Sequence, residues 1–277
     1  MKSVKEFGIN VSNCSTLYQH VTKKMLLILI CVMFTFTVAG TVIAEFTEGL
    51  ILYHSYDKGH GNVAEDLSGN GHDGKIDIPK WVNGKFNKAL NFGGAGSGTW
   101  VTIENTEKLN VDTCTFMAWV FAEHWHATRQ IIGKSVHGGC SGRGQYGLYS
   151  QGDTFKLRFE TVGGRSDIVM DLPDSEKWIH VAFTNDGSNG IIYIDGKEAM
   201  AGNVSGKLKP NEDPLRIAQD CDRPDNVFEG MIDEVRLWNR VLTEQEISTY
   251  MDQGAKQALS VSPSGKISTT WAQLKHF

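Results

Sequence analysis

About ten short apolar runs follow one another along this chain with no helical period between them, and that succession limits the fold more than any single motif. The clearest run is 154–160, where Phe155, Leu157 and Phe159 point one way and Lys156, Arg158 and Glu160 the other. That is the period of a half-solvated antiparallel strand. Residues 49–54, 99–103, 113–121, 129–133, 145–150, 178–184, 191–194, 215–218 and 230–238 read the same way. Between IIYI and KEAM, Asp195-Gly196 predicts a type I′ hairpin, because glycine supplies the positive φ that the turn demands. One helix is predicted: Thr243 caps it, Glu246 reciprocates three residues on, and it stops before Gly254. So many strands without an internal repeat predict an all-β fold, two packed antiparallel sheets of the jelly-roll kind with one short helix near the C-terminal end. Thirty glycines against six prolines suit its many turns, and 40% hydrophobic with 21% charged residues excludes disorder for most of the chain.

Residues 25–44 read MLLILICVMFTFTVAGTVIA, preceded by Lys23-Lys24, with Val42 and Ala44 at the −3 and −1 positions of a cleavage site. This predicts residues 1–44 as a secretory signal; an uncleaved N-terminal anchor is the alternative, and only then does the membrane become a partner. A secreted, cell-surface or periplasmic location follows. Residues 1–44 hold four lysines and one glutamate, so of the 27 basic and 32 acidic residues the remainder keeps 23 and 31, a charge of −8. An acidic chain without a Lys/Arg cluster argues against nucleic acid as a partner. Three cysteines lie beyond residue 44. Cys114 falls in an apolar run and reads as a buried small hydrophobe, whereas Cys140 and Cys221 lie in polar loops and form the expected disulfide if the compartment is oxidising.

Three segments in fixed order carry a family resemblance: GLILYHSYD (49–57), AEDLSGNGHDGKI (64–76) and GMIDEVRLWNRVLTEQEI (230–247). FNKALNFGG, CTFMAWV, KWIHVAFT and GIIYIDGKE between them fit the same pattern. Together they resemble a LamG-like jelly-roll domain of the concanavalin A-like lectin/glucanase superfamily. The resemblance covers residues 45–253 and leaves 254–277 as a linker and short tail. It implies a carbohydrate-binding or adhesion module on an exported protein, with a glycan, a cell-surface polysaccharide or a protein as partner, and often a structural calcium ion.

The residues themselves support the calcium in part. In the run 230–238, Asp233 shares parity with Met231, Val235 and Leu237, which aims its carboxylate at the apolar side and demands a compensating partner, a cation or an arginine. Asp57 ends the first run, and Asp66 and Asn70 in the glycine-rich loop after it add hard oxygen donors. The family implies adjacent first and last strands, which brings Asp57, Asp66, Asn70 and Asp233 together; ordinary turn roles for the loop residues are the alternative. Ligand-binding candidates come from loops rich in aromatic and planar polar groups: Trp125 and His126 in EHWH, Arg143 and Tyr146 in HGGCSGRGQY, and Asp222 and Arg223 in DCDRPD. A glycoside hydrolase of the same fold is the rival reading. It finds no ExDxxE run, only Glu229 and Asp233 at equal parity, and no nucleophile elbow, HExxH helix or P-loop is present, so no catalytic residues are assigned.

Overall fold

The computed structural model describes residues 46–125, 128–134, 144–220 and 226–259. Their strands are β1 (Leu50–His54), β2 (Val63–Ala64), β3 (Gly74–Asp77), β4 (Trp81–Asn83), β5 (Lys88–Asn91), β6 (Trp100–Ile103), β7 (Cys114–Ala122), β8 (Arg129–Lys134), β9 (Tyr146–Gln151), β10 (Thr154–Thr161), β11 (Gly164–Asp171), β12 (Trp178–Asn185), β13 (Asn189–Ile194), β14 (Lys197–Asn203), β15 (Leu215–Ile217) and β16 (Gly230–Trp238). They form two eight-stranded antiparallel sheets. The first runs β14-β13-β12-β7-β16-β5-β4, with β1 also paired to β16, and the second runs β11-β10-β9-β8-β15-β6-β3-β2. The fold is the expected jelly-roll sandwich, with the first and last strands adjacent.

Alternation along each strand places the core. On β10, Phe155, Leu157 and Phe159 are buried between the sheets, while Arg158 faces out and grips Asp167 of β11 through two hydrogen bonds of 2.6 and 2.9 Å. Phe116 of β7 stacks on Phe183 of β12 at 5.4 Å, and Phe159 meets Phe183 edge-on at 5.9 Å. Cys114 is a free thiol in this core, and burial pushes its pKa up to about 12. A second cluster covers the outer face of the first sheet. There Phe46, Tyr53, Met117 and Trp238 pack beneath α1 (Glu244–Met251) and α2 (Ala255–Leu259), with Trp238 and Tyr250 stacked at 6.0 Å. The predicted cap is present: the Thr243 hydroxyl accepts from the Glu246 amide, and the Glu246 carboxylate accepts from Thr243. Asp195 and Gly196 both take positive φ, 49° and 77°, between β13 and β14 as the hairpin requires. Among the described residues no helix is long and apolar enough to cross a membrane.

The decisive irregularity lies in β16. Its first part pairs with β5 through Met231 and Ile232, its second with β1 from Val235 to Trp238, and β7 runs along the other side. Where the partner changes, the register against β7 shifts between Asp233 and Arg236, and Glu234 takes a left-handed φ of 54°. This bulge breaks the strand parity. Ile232, Val235 and Leu237 all face the core, whereas Asp233 pairs across to Trp119 and shares the outer face with Arg236. Asp233 therefore does not project to the side of Val235 and Leu237 as alternation predicts. It is nonetheless fully buried, because the turn between β4 and β5 closes over it: the Phe86 amide donates to Asp233 Oδ2 at 2.9 Å, and a Cβ on Gly84 would come within 2.6 Å of that oxygen.

Gly230 opens β16 at φ 140°, where a Cβ would be driven into the carbonyl oxygen of Phe121. Gly230→Ala is expected to destabilise the domain by about 2 kcal/mol or more in urea unfolding. A loss below about 0.5 kcal/mol would show that the β7–β16 approach is not as close as described.

Candidate functional site

Three carboxyl and two phenol groups meet where β1 gives way to its loop and β16 bulges. Glu234 is 1% exposed and accepts from the Tyr53 hydroxyl at 2.5 Å, from Arg236, and from the Ala255 amide at 3.3 Å. Burial raises its pKa, with the Arg236 guanidinium and the Tyr53 hydroxyl opposing the rise. Asp233 has no such help, because Arg236 pairs with Glu234 instead. Burial pushes the Asp233 carboxyl up to about 8; the backbone amides of Phe86 and Glu234 oppose this, and the carboxylates of Glu234 and Asp57 add to it. Asp57 accepts from the Asn87 amide at 3.1 Å through Oδ2. The Oδ1 atoms of both Asp57 and Asp233 are buried without a hydrogen-bond partner, as is the hydroxyl of nearby Tyr56. Two orphaned carboxylate oxygens are the arrangement a hard cation satisfies.

Asp66 and Asn70 do not join them. Asp66 accepts four hydrogen bonds, from the amides of Tyr53, Ser68 and His72 and the hydroxyl of Ser68, at 2.8 to 3.0 Å. Although burial opposes it, this set holds the Asp66 pKa below its ordinary value. Asn70 donates to the Leu50 carbonyl at 3.0 Å and accepts from Lys108 at 2.8 Å. The ring nitrogens of His72 lie 2.7 Å from the Ile51 carbonyl and 2.8 Å from the Thr106 hydroxyl. The DLSGNGHDG segment thus fastens its own loop to β1, which is the turn role, and its oxygens are not available to an ion shared with Asp233. Among the described residues no group of three or more His, Cys, Asp or Glu side chains is placed to hold a metal, so an ion at Asp57 and Asp233 would need carbonyl oxygens and water for the rest of its shell.

The ligand-loop expectations are corrected at two positions. Trp125 is 4% exposed: its ring packs on Phe155 at 5.4 Å and Phe228 at 5.8 Å, and its indole N–H donates to the Asp174 carbonyl. Tyr146 is 1% exposed beside Phe183. Both are core residues with no face open to a sugar, Trp125 in the connection after β7 and Tyr146 at the start of β9. His126, Arg143, Asp222, Arg223 and the Cys140 and Cys221 pair lie outside the described residues, as does the 1–44 segment. Sequence reasoning passed over the group that does gather at this end of the sandwich: Glu229 Oε2 stands 2.9 Å from His124 Nε2 and 3.6 Å from Arg129 Nη2. It also passed over Trp81, half-buried on the three-residue strand β4, where no alternating run exists to mark it. Glu229 and Asp233, the closest approach to a hydrolase pair, are engaged by different partners, the His124–Arg129 group and the Phe86 amide.

A family model described as the concanavalin A-like lectin/glucanases superfamily matches residues 95–248. No curated protein sequence matches the chain. Solved structures share the fold at low identity. Domain 4 of AbnA, an extracellular GH43 arabinanase from Geobacillus stearothermophilus, in complex with arabinotriose, is 18% identical at a TM-score of 0.52, covering 72% of this chain and 97% of that one. The binding domain of botulinum neurotoxin DC aligns in complex with SialylT, at 15% identity and a TM-score of 0.58, and in complex with rat synaptotagmin II, at 16% and 0.60. Each of these alignments covers 79% of this chain and 53% of the toxin domain, so the match spans about half of that domain's length.

The raised Asp233 pKa gives a signed pH dependence in the metal-free protein. A carboxyl whose folded pKa of about 8 exceeds its ordinary 3.8 stabilises the fold fully below pH ~4, and that contribution is lost as pH rises through ~8. In EDTA, unfolding free energy should fall over this window by on the order of 1 kcal/mol per pH unit from this group, and Asp233→Asn should flatten the slope. Parallel pH profiles for the two proteins would mean that Asp233 ionises normally.

Proposed function

The chain belongs to the concanavalin A-like lectin/glucanase superfamily, and from that premise we propose that it is a non-catalytic carbohydrate-binding module of an exported protein, stabilised by one calcium ion. The observation that carries the reading is the jelly-roll sandwich it has in common with domains captured with saccharides, the arabinanase domain with arabinotriose and the neurotoxin domain with SialylT. The separate engagement of Glu229 and Asp233 supports a binding role over hydrolysis, which needs two carboxyls facing one bond. A protein partner is the second reading, favoured by the neurotoxin domain in complex with synaptotagmin II.

Calcium would be held by Asp57 and Asp233 through their orphaned Oδ1 atoms. When bound it supplies the positive charge that the buried Asp233 and the half-buried Asp57 otherwise lack. The chain's own part is to fix those carboxylates: Asn87 holds Asp57 through Oδ2, and the Phe86 amide holds Asp233 through Oδ2. Export leaves a mature chain from Glu45, read out by mass spectrometry of the secreted protein.

Two measurements test the reading. A glycan array probed with the purified protein should give saccharide hits, whereas binding only to protein in a pull-down would favour the second reading. Calcium at ~100 times its dissociation constant should add about 2.7 kcal/mol of stability. Asp233→Asn should remove most of that increment, and the corresponding amide change Glu160→Gln on β10, where the carboxylate is half-buried against Arg165 and remote from the ion, should leave it intact. Equal melting of wild type in calcium and EDTA would eliminate the ion.

A further inference from the structure

A cleft of 330 Å³ opens beside β2 and β4, walled by Tyr56, Asp57, Lys58, Glu65 and Trp81 and closed on one side by Ala255. We infer that this cleft is the saccharide-binding site and that it takes one or two rings of an uncharged glycan. The inference rests on the reading of the chain as a carbohydrate-binding module.

Its walls differ in chemistry in the way a sugar ring does. On the apolar side stands half-buried Trp81, whose indole N–H donates to the Gly61 carbonyl at 2.9 Å and whose ring meets Tyr56 edge-on at 6.3 Å. The indole is fixed from beneath before any ligand arrives, so little freedom is lost on stacking. Val63, at 37% exposed, is one of few large aliphatic side chains among the described residues left in solvent, and it lines the same wall. On the polar side Lys58 and Glu65 form a surface ion pair at 2.5 Å, a fixed donor and acceptor for hydroxyls.

Size and charge narrow the ligand. The volume lies at the low end of the roughly 300–1,000 Å³ of small-molecule sites, too small for a helix. A purely apolar ligand would leave the ion pair unused, and although β2 and β4 are the edge strands of their sheets, the features that line the cleft, an aromatic face and a polar side-chain pair, are those a sugar ring matches. Lys58 is cancelled by Glu65, and Asp57 stands with Asp233 and Glu234 behind it, so no net positive charge faces the cleft. Sialylated, sulfated or uronic sugars are disfavoured there, and bound calcium would neutralise the aspartates without reversing this.

The test is an array carrying uncharged and acidic glycans, followed by calorimetric titration of the strongest hit. Uncharged hits are expected. Trp81→Ala should weaken binding about tenfold or more, and Trp81→Phe should retain most of it. Trp178→Ala, at the aromatic pair with Phe121 on the first sheet's outer face, should bind as wild type. Should Trp81→Ala fail to fold, the solvent-exposed double change Lys58→Ala with Glu65→Ala supplies the readout, again as a loss of affinity. Wild-type binding confined to acidic glycans, or unaltered by both cleft variants, overturns the cleft and leaves the module reading standing. A blank wild-type array overturns both.

Discussion

A single buried guanidinium organises one side of this sandwich. Arg236 is 1% exposed, and it donates to Glu234, to the Tyr53 hydroxyl at 2.9 Å, to the Tyr250 carbonyl at 2.8 Å and to the Gln253 carbonyl. A cation taken out of water is tolerated only when it is paired and hydrogen-bonded, and here both terminal nitrogens are engaged while Nε is buried without a partner. These contacts join three parts of the chain that are far apart in sequence: β1 through Tyr53, β16 through Glu234, and the end of α1 through two carbonyls. The Tyr53 ring lies under the guanidinium at 4.5 Å, and burial raises its phenol pKa well beyond the ordinary range, so the phenol remains a donor to Glu234.

The same contact decides which acidic group is left in need. Glu234 is the extra residue of the bulge, and turning it toward Arg236 sends the adjacent Asp233 to the place where the pairing of β16 passes from the start of β5 to the end of β1. One carboxylate obtains an arginine, a tyrosine and an amide; its neighbour obtains backbone amides alone. That inequality, more than the number of acidic residues, is what supports the proposal of a cation at Asp233 and its companion Asp57. The acid-rich loop 66–73, which looks better supplied with oxygen, is already satisfied internally.

Local rules were legible in the sequence wherever the cause was local. The Asp195-Gly196 turn needs only glycine's backbone freedom, the Thr243–Glu246 cap needs only a four-residue spacing, and β10 announces itself because every second side chain is charged. Parity failed at Asp233 because a bulge is invisible to period-two counting and depends on which strands flank β16. Trp125 and Tyr146 were misplaced for a related reason. An aromatic residue in a polar segment looks like a loop residue, yet its burial is decided by the opposite sheet, by Phe155 and Phe228 for one and Phe183 for the other. Strands β2 to β5, of two to four residues each, carry too short a pattern to be read, and Trp81 with its cleft was hidden among them.

The packing also continues beyond the Gln253 boundary that the family pattern suggests. Ala255 donates its amide to Glu234 and lines the cleft, and Ala258 lies in the cluster with Phe46 and Trp238. Residues 255–259 therefore belong to the folded sandwich. Because Gln253 and Ala255 bind to Arg236 and Glu234 directly, the wall of the cleft is set by the same network that makes burial of the guanidinium possible. A ligand in the proposed cleft would rest against a segment whose position depends on the Arg236–Glu234 pair, which would tie ligand recognition to an ion pair whose two side chains are each only 1% exposed.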